Sequence, residues 1–113
     1  MRHILASVVL VVFQLPSLAS GETMEDLVYR DGLYYKKFTN VPFTGKTTGE
    51  MQGTFRNGEK DGPWVEYHDN GQLSWKATYK NGELDGPWEG YHKDGTVDEK
   101  WTGTFKNGVK ISD

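Results

Sequence analysis

Six rings are the residues of this chain whose types and spacing could do chemistry: Trp64, Trp75, Trp88 and Trp101, with Tyr67 and Tyr91. An exposed indole or phenol can stack on a sugar or a peptide side chain, and its electron-rich face can take a cation. Read as a set, the six are a candidate binding platform. Read as repeat residues, they are the packing of the fold itself. His68 and His92 stand at equivalent places, but two strands separate such places, about 10 Å in a sheet. A shared metal sits about 2.0–2.1 Å from each ring nitrogen and normally needs further ligands, so no metal site is expected. The carboxylates offer no better arrangement. Asp69-Asn70-Gly71 and Asp94-Gly95 lack the spacing and closing Glu of a calcium loop. Glu66 has no repeat equivalent, because position 90 is Gly, so no repeated carboxylate pair supports hydrolysis. No Gly-x-Ser-x-Gly elbow, phosphate loop or His-Glu-x-x-His is present. The reading is a non-enzymatic protein with no cofactor and no metal.

The elements that would carry these rings follow from composition. The chain holds 14 Gly in 113 residues, with 4 Trp, 6 Tyr, 5 Phe and no Cys. An interior Gly costs a helix about 1 kcal/mol relative to Ala, which argues against a helical bundle. Without Cys there is no disulfide framework, thiol nucleophile or cysteine zinc site. A net charge of -3 argues against nucleic acid as a partner, which would need a basic face. The length supports one small domain.

Residues 1–19 read as a secretory signal peptide. Arg2 and His3 form a basic start, residues 4–15 are apolar apart from Ser7 and Gln14, and Pro16-Ser17-Leu18-Ala19 follows. This twelve-residue segment makes about 18 Å of helix against a hydrocarbon core of about 30 Å, so cleavage after Ala19 is preferred to an uncleaved anchor. Cleavage after Gly21 is the alternative. Loss of the segment removes Arg2 and no acid, which leaves a net charge of -4. The exported chain is expected to be periplasmic or extracellular, with a flexible stretch at 20–27.

The remainder is a repeat. Phe55-Arg56-Asn57-Gly58-Glu59-Lys60-Asp61-Gly62-Pro63-Trp64 returns as Tyr79-Lys80-Asn81-Gly82-Glu83-Leu84-Asp85-Gly86-Pro87-Trp88. Phe105-Lys106-Asn107-Gly108 begins a third copy after a two-residue insertion. The domain spans 28–111: a degenerate unit at 28–54, repeats at 55–78 and 79–104, and a partial unit at 105–111. Asn-Gly and Asp-Gly are hairpin signals, since both turn residues accept positive φ. The glycines at Gly58, Gly62, Gly71, Gly82, Gly86, Gly95 and Gly108 are therefore read as structural turns. Strand parity gives a large–small–aromatic pattern on one face: Met51-Gly53-Phe55, Trp75-Ala77-Tyr79 and Trp101-Gly103-Phe105. The two-residue insertion preserves that face. A small residue between two large ones leaves room for a neighbouring ring to lie over the backbone.

These residues resemble the MORN repeat (membrane occupation and recognition nexus) in its bacterial variant form. The resemblance rests on Gly62-Pro63-Trp64-Val65-Glu66-Tyr67-His68-Asp69-Asn70-Gly71-Gln72-Leu73, its recurrence from Gly86 to Val97, and Pro42-Phe43-Thr44-Gly45. It implies an all-β fold, an elongated single-layer antiparallel meander of consecutive β-hairpins. It also implies work in protein contact, scaffolding or membrane association, and an antitoxin-like label under which many bacterial members are catalogued. An ordinary antitoxin meets its toxin in the cytoplasm, which sits badly with an export signal. The expected partner is another protein, or a second copy pairing through open sheet edges. A carbohydrate or cell-wall ligand held by the Trp and Tyr rings is the alternative. A membrane surface is a weaker one, because a charge of -4 supplies no basic patch.

Overall fold

The computed structural model describes residues 21–113; the signal-peptide reading of 1–19 lies outside the described residues. The chain is all-β, with no α-helix among the described residues. Its elements are β1 (Glu22–Thr23), a 3₁₀ turn (Met24–Asp26), β2 (Leu27–Arg30), β3 (Leu33–Lys36), β4 (Gly45–Thr48), β5 (Met51–Arg56) and β6 (Glu59–Lys60). Then follow β7 (Gly62–Tyr67), β8 (Leu73–Lys80), β9 (Glu83–Gly90), β10 (Gly103–Lys106) and β11 (Val109–Ser112). The main sheet runs β1-β4-β5-β7-β8-β9-β10-β11 with β6 on β5, and β2-β3 form a separate two-stranded sheet. The molecule extends 65 × 33 × 23 Å.

Two features depart from a single antiparallel layer. β1 pairs parallel to β4, so the sheet is mixed. The stretch expected to be flexible is also built into the fold. Glu22 pairs Thr47, the Asp26 carboxylate accepts the Thr23 N–H at 2.8 Å, and Leu27 is buried. Those backbone bonds cap the 3₁₀ turn and hold the carboxyl of Asp26 below its ordinary value.

The eight Asx-Gly pairs divide into three structures. At Asn57-Gly58, Asn81-Gly82, Asn107-Gly108 and Asp31-Gly32 both residues have positive φ, as a two-residue hairpin turn requires. At Asn70-Gly71 and Asp94-Gly95 only Gly is positive. These close three-residue loops, in which His68 N–H donates to Gln72 O and His92 N–H to Thr96 O, each at 2.8 Å. Gly62 and Gly86 are not hairpin turns, contrary to expectation. Gly62 opens β7 and Gly86 lies inside β9. Each relieves an irregularity: β5 pairs first with Lys60 and then, beyond 61–64, with Val65. Asn and Gly tolerate the left-handed region, so the same dipeptide signal serves a turn or a kinked strand.

Register carries one face across the sheet through Trp64↔Ala77, Ala77↔Trp88 and Trp88↔Gly103. The Trp64 indole lies on Gly53, where a Cβ would overlap its ring. The small-residue slot expected from sequence is thus filled by a neighbouring ring at position 53. At Gly103 the occupant differs, since the Lys110 side chain lies there. The core is Leu27, Phe55 and Trp64, reached by a run of rings: Tyr29–Tyr34 4.9 Å, Tyr34–Phe55 4.9 Å, Phe55–Trp64 5.0 Å and Trp64–Tyr79 6.3 Å between centroids. Edge-to-face ring contacts of this kind add about 0.5–1.5 kcal/mol each beyond area burial. The β2–β3 hairpin supplies the outer end of this run, so it covers the sheet face at one end.

Candidate functional site: a tryptophan cluster on the uncovered sheet face

The six candidate rings do not form one platform. Trp64 is 1% exposed, with its indole N–H donated to Thr54 O at 3.1 Å. It is a core residue. Tyr91 has the strand parity of Glu89 rather than of Trp88, which puts it on the opposite face. Its hydroxyl donates to Glu89 Oε1 at 2.6 Å. That bond holds the Glu89 carboxyl below its ordinary value and the Tyr91 phenol above its own. Lys76 completes the polar group at 3.5 Å from Glu89. Tyr67 stands at the end of β7, past a register shift, and is half-buried.

Trp75, Trp88 and Trp101 remain. Trp75 and Trp88 stack with centroids 5.7 Å apart and planes inclined by 20°. Both are half-buried on the face that carries the core. Trp101 is 59% exposed and lies outside any strand. All three residues border Gly90. Trp75 pairs with Gly90 across the β8–β9 ladder. A Cβ on Gly90 would stand 2.8 Å from Trp88 Cζ3 and 3.6 Å from Trp101 Cβ. Gly90 N–H is held by Thr102 Oγ1 at 3.2 Å. Sequence reading passed over Gly90 as a site residue. The available signal was the exchange of Glu66 for Gly at the same repeat position, which removes a side chain where the Trp88 ring and Trp101 Cβ lie.

The departure of Trp101 from the strand register has a local cause. Asp98 N–H donates to Gly90 O at 2.8 Å, Trp101 N–H to Asp98 O at 3.2 Å and Thr102 Oγ1 to Asp98 O at 2.9 Å. The inserted residues make a closed turn that lifts Trp101 out, and pairing resumes only at Gly103. Face parity survives the insertion, as expected, while strand position does not.

Around the cluster the polar groups are asymmetric. Trp75 donates its indole N–H to Glu66 Oε1; among the described residues no acceptor engages the indole N–H of Trp88 or Trp101. Lys100 Nζ lies 5.3 Å from the Trp101 ring centroid, which shows a cation already using that ring face. Beyond Glu66, the same face opens into a hollow of about 560 Å³ lined by Met24, Met51, Glu25 and Glu50 among others. Deeper in, Lys60 Nζ rests 5.0 Å from the Trp64 ring and 4.9 Å from that of Tyr79. Burial pushes its pKa below the ordinary lysine value, with Glu66 acting against the shift.

The two histidines are used separately. His68 Nε2 lies 2.9 Å from Tyr91 O, and Asn70 Nδ2 donates to Lys93 O at 2.9 Å. One repeat's loop is thereby clipped to the next. His92 Nδ1 lies 3.8 Å from Asp98 Oδ2. No protein-family model, curated relative or solved structure matches the chain.

Proposed function

We propose that this chain is an exported, non-enzymatic repeat module of the MORN-variant type that binds another protein at the cell envelope through the face carrying Trp75, Trp88 and Trp101. The observation that carries the reading is the Trp75–Trp88 stack with the exposed Trp101 on the other side of Gly90, on a face covered at its far end by the β2–β3 hairpin. Large rings on an exposed patch, with little side-chain entropy to lose, are the usual anchors of protein contacts. The consecutive hairpins, with an Asn-Gly turn every repeat, agree with the repeat resemblance. Export rests on residues 1–19.

A second reading uses the same rings for carbohydrate, favoured by the 59% exposure of Trp101, because a free indole face is what a sugar ring stacks on. Two experiments separate them. A photo-crosslinking residue at position 101, in cells, should capture a discrete protein band identifiable by mass spectrometry. The same residue at Thr78, on the opposite face, should not. Capture equal at both positions would refute the tryptophan face as the contact. Retention of the purified protein on insoluble cell-wall polymer, lost in Trp75→Ala and Trp101→Ala variants that still fold, would favour carbohydrate instead.

A further inference from the structure

Lys60 is a half-buried cation to which the fold gives rings and no counter-ion. It stands opposite Phe55 in the β5–β6 ladder and so shares the core face. Its Nζ lies 5.0 Å from the Trp64 ring centroid and 4.9 Å from that of Tyr79. Ring faces attract the charge but give the ammonium's three donors no oxygen acceptor. Lys36, Lys76, Lys93 and Lys110 each meet a carboxylate; among the described residues Lys60 meets none. Glu66 favours its charge without forming an ion pair.

Three hairpin turns, those of Gly32, Gly58 and Gly82, border one hollow beside this lysine. Backbone bonds hold them there. Tyr34 N–H donates to Gly58 O at 2.9 Å, which fastens the β2–β3 hairpin to the Asn57-Gly58 turn. Gly82 N–H donates to Lys60 O at 3.0 Å, which fastens the next turn to β6. A Cβ on Gly58 would stand 3.0 Å from Leu33 Cβ and 3.2 Å from Tyr34 O, so this approach needs glycine. The hollow measures about 200 Å³, and Tyr29, Tyr34, Lys60 and Tyr79 line it together with Glu59.

The phenols add donors of their own. The Tyr91 hydroxyl donates to Glu89; among the described residues the hydroxyls of Tyr29, Tyr34 and Tyr79 have no such partner. Burial raises the pKa of Tyr34 and Tyr79, and neighbouring phenols add to it, Tyr29 acting on Tyr34 and Tyr34 on Tyr79. These hydroxyls keep their protons and lie within reach of one another's charge. Half-buried donors without a protein acceptor mark a place for an oxygen from outside. A single ammonium matches a single negative charge, and Glu59 in the lining opposes a second. That favours a carboxylate over a phosphate dianion. The volume lies below the roughly 300–1,000 Å³ of ordinary ligand pockets, so the ligand is small.

We propose that this hollow binds a small ligand through its carboxylate, with Lys60 Nζ and the phenol hydroxyls of Tyr29, Tyr34 and Tyr79 as the donors. The ammonium supplies the charge, and its half-burial strengthens each bond it makes relative to water. The tyrosine rings offer faces on which the body of the ligand packs. A carboxylate of this kind comes from an acidic sugar or from the C-terminus of a short peptide. The site is separate from the Trp75–Trp88 stack, and it stands whether or not that face contacts a protein.

Nuclear magnetic resonance of the purified chain tests the assignment. Sodium acetate, sodium glucuronate and sodium N-acetylalaninate are titrated at matched ionic strength against sodium chloride, with N-acetylalaninamide as the uncharged counterpart. The carboxylates should give saturable shifts of the Gly32, Gly58 and Gly82 amides and of the Tyr29, Tyr34 and Tyr79 rings. Chloride and the amide should give none. Tighter binding of glucuronate assigns the site to an acidic sugar, tighter binding of N-acetylalaninate to a peptide C-terminus, and equal binding to the carboxylate alone. Lys60→Met should weaken binding about tenfold or more, the loss expected of a hydrogen bond to a charged group. Tyr29→Phe, at a position 61% exposed, should weaken it several-fold, and thermal unfolding verifies that each variant folds. Should Lys60→Met fail to fold, Tyr29→Phe and the titration of the parent chain still decide. Shifts that never saturate, that chloride or the amide reproduces, or that persist at full strength in folded Lys60→Met would overturn the proposal.

Discussion

Replacement of Gly53 by Ala tests the packing rule on which this fold depends. Gly53 lies in β5 with the Trp64 indole directly on its Cα, and an added methyl would overlap Cδ2 and Cε2 of that ring. The ring has nowhere to move. It is 1% exposed, wedged between Phe55 at 5.0 Å and Tyr79 at 6.3 Å, and tied through its N–H to Thr54 O at 3.1 Å. Overpacking of this kind costs about 1–3 kcal/mol. Loss of the indole hydrogen bond adds about 0.5–1.5 kcal/mol. Removing a strand glycine returns about 0.5–1 kcal/mol. The expected net loss is about 1–3 kcal/mol. For a domain of about 60–100 residues, each kcal/mol lowers the unfolding midpoint by about 4–8 °C. Thermal unfolding followed by circular dichroism should therefore show a fall of about 5–20 °C. Trp64→Leu should itself be costly, but within that background Gly53→Ala should become neutral or stabilising. A Gly53→Ala variant as stable as the parent, or equally harmful in both backgrounds, would refute the reasoning.

Four further outcomes follow from other parts of the fold. Asn81 has φ 51°, so Asn81→Val should lose about 1–2 kcal/mol in denaturant unfolding, while Asn81→Gly should lie close to the parent. Burial raises the phenol pKa of Tyr34 and Tyr79. A raised folded value means stability fully present below the ordinary value near 10 and lost as pH rises through the folded one, so phenolate absorbance should show these two ionising late and together with unfolding. The lowered value of Lys60 acts the other way, favouring the fold as pH rises toward the ordinary lysine range, and Lys60→Met should remove that opposing contribution. Deletion of Asp98 and Glu99 restores the repeat spacing, so Trp101 should enter the strand opposite Gly90, with tryptophan emission shifted to the blue and less access to a soluble quencher.

Much of the fold was legible because its signals are local. Asn-Gly and Asp-Gly announce backbone at positive φ, and Met51-Gly53-Phe55 with Trp75-Ala77-Tyr79 announces one face with a slot. The same dipeptide could not tell a turn from a kink. Gly58 and Gly62 carry similar neighbours, yet only the first reverses the chain, because the pairing partner available to Lys60 and to Val65 differs. Parity likewise placed Trp101 on the proper face but could not place it in a strand, since the hydrogen bonds of Asp98 decide where pairing resumes.

The sequence by itself determined an all-β chain, its internal recurrence and its aromatic packing positions, all of which depend on residues near one another in the chain. The division of the rings was decided only in three dimensions. Trp64 is sealed because the β2–β3 hairpin, more than 25 residues upstream in sequence, closes over Phe55 beside it. Trp88 occupies the matching repeat position beyond the reach of that cover, so it stacks on Trp75 at the open surface. Identical local sequences thus yield a core residue and a surface residue, because burial is set by what a long-range chain return brings over them.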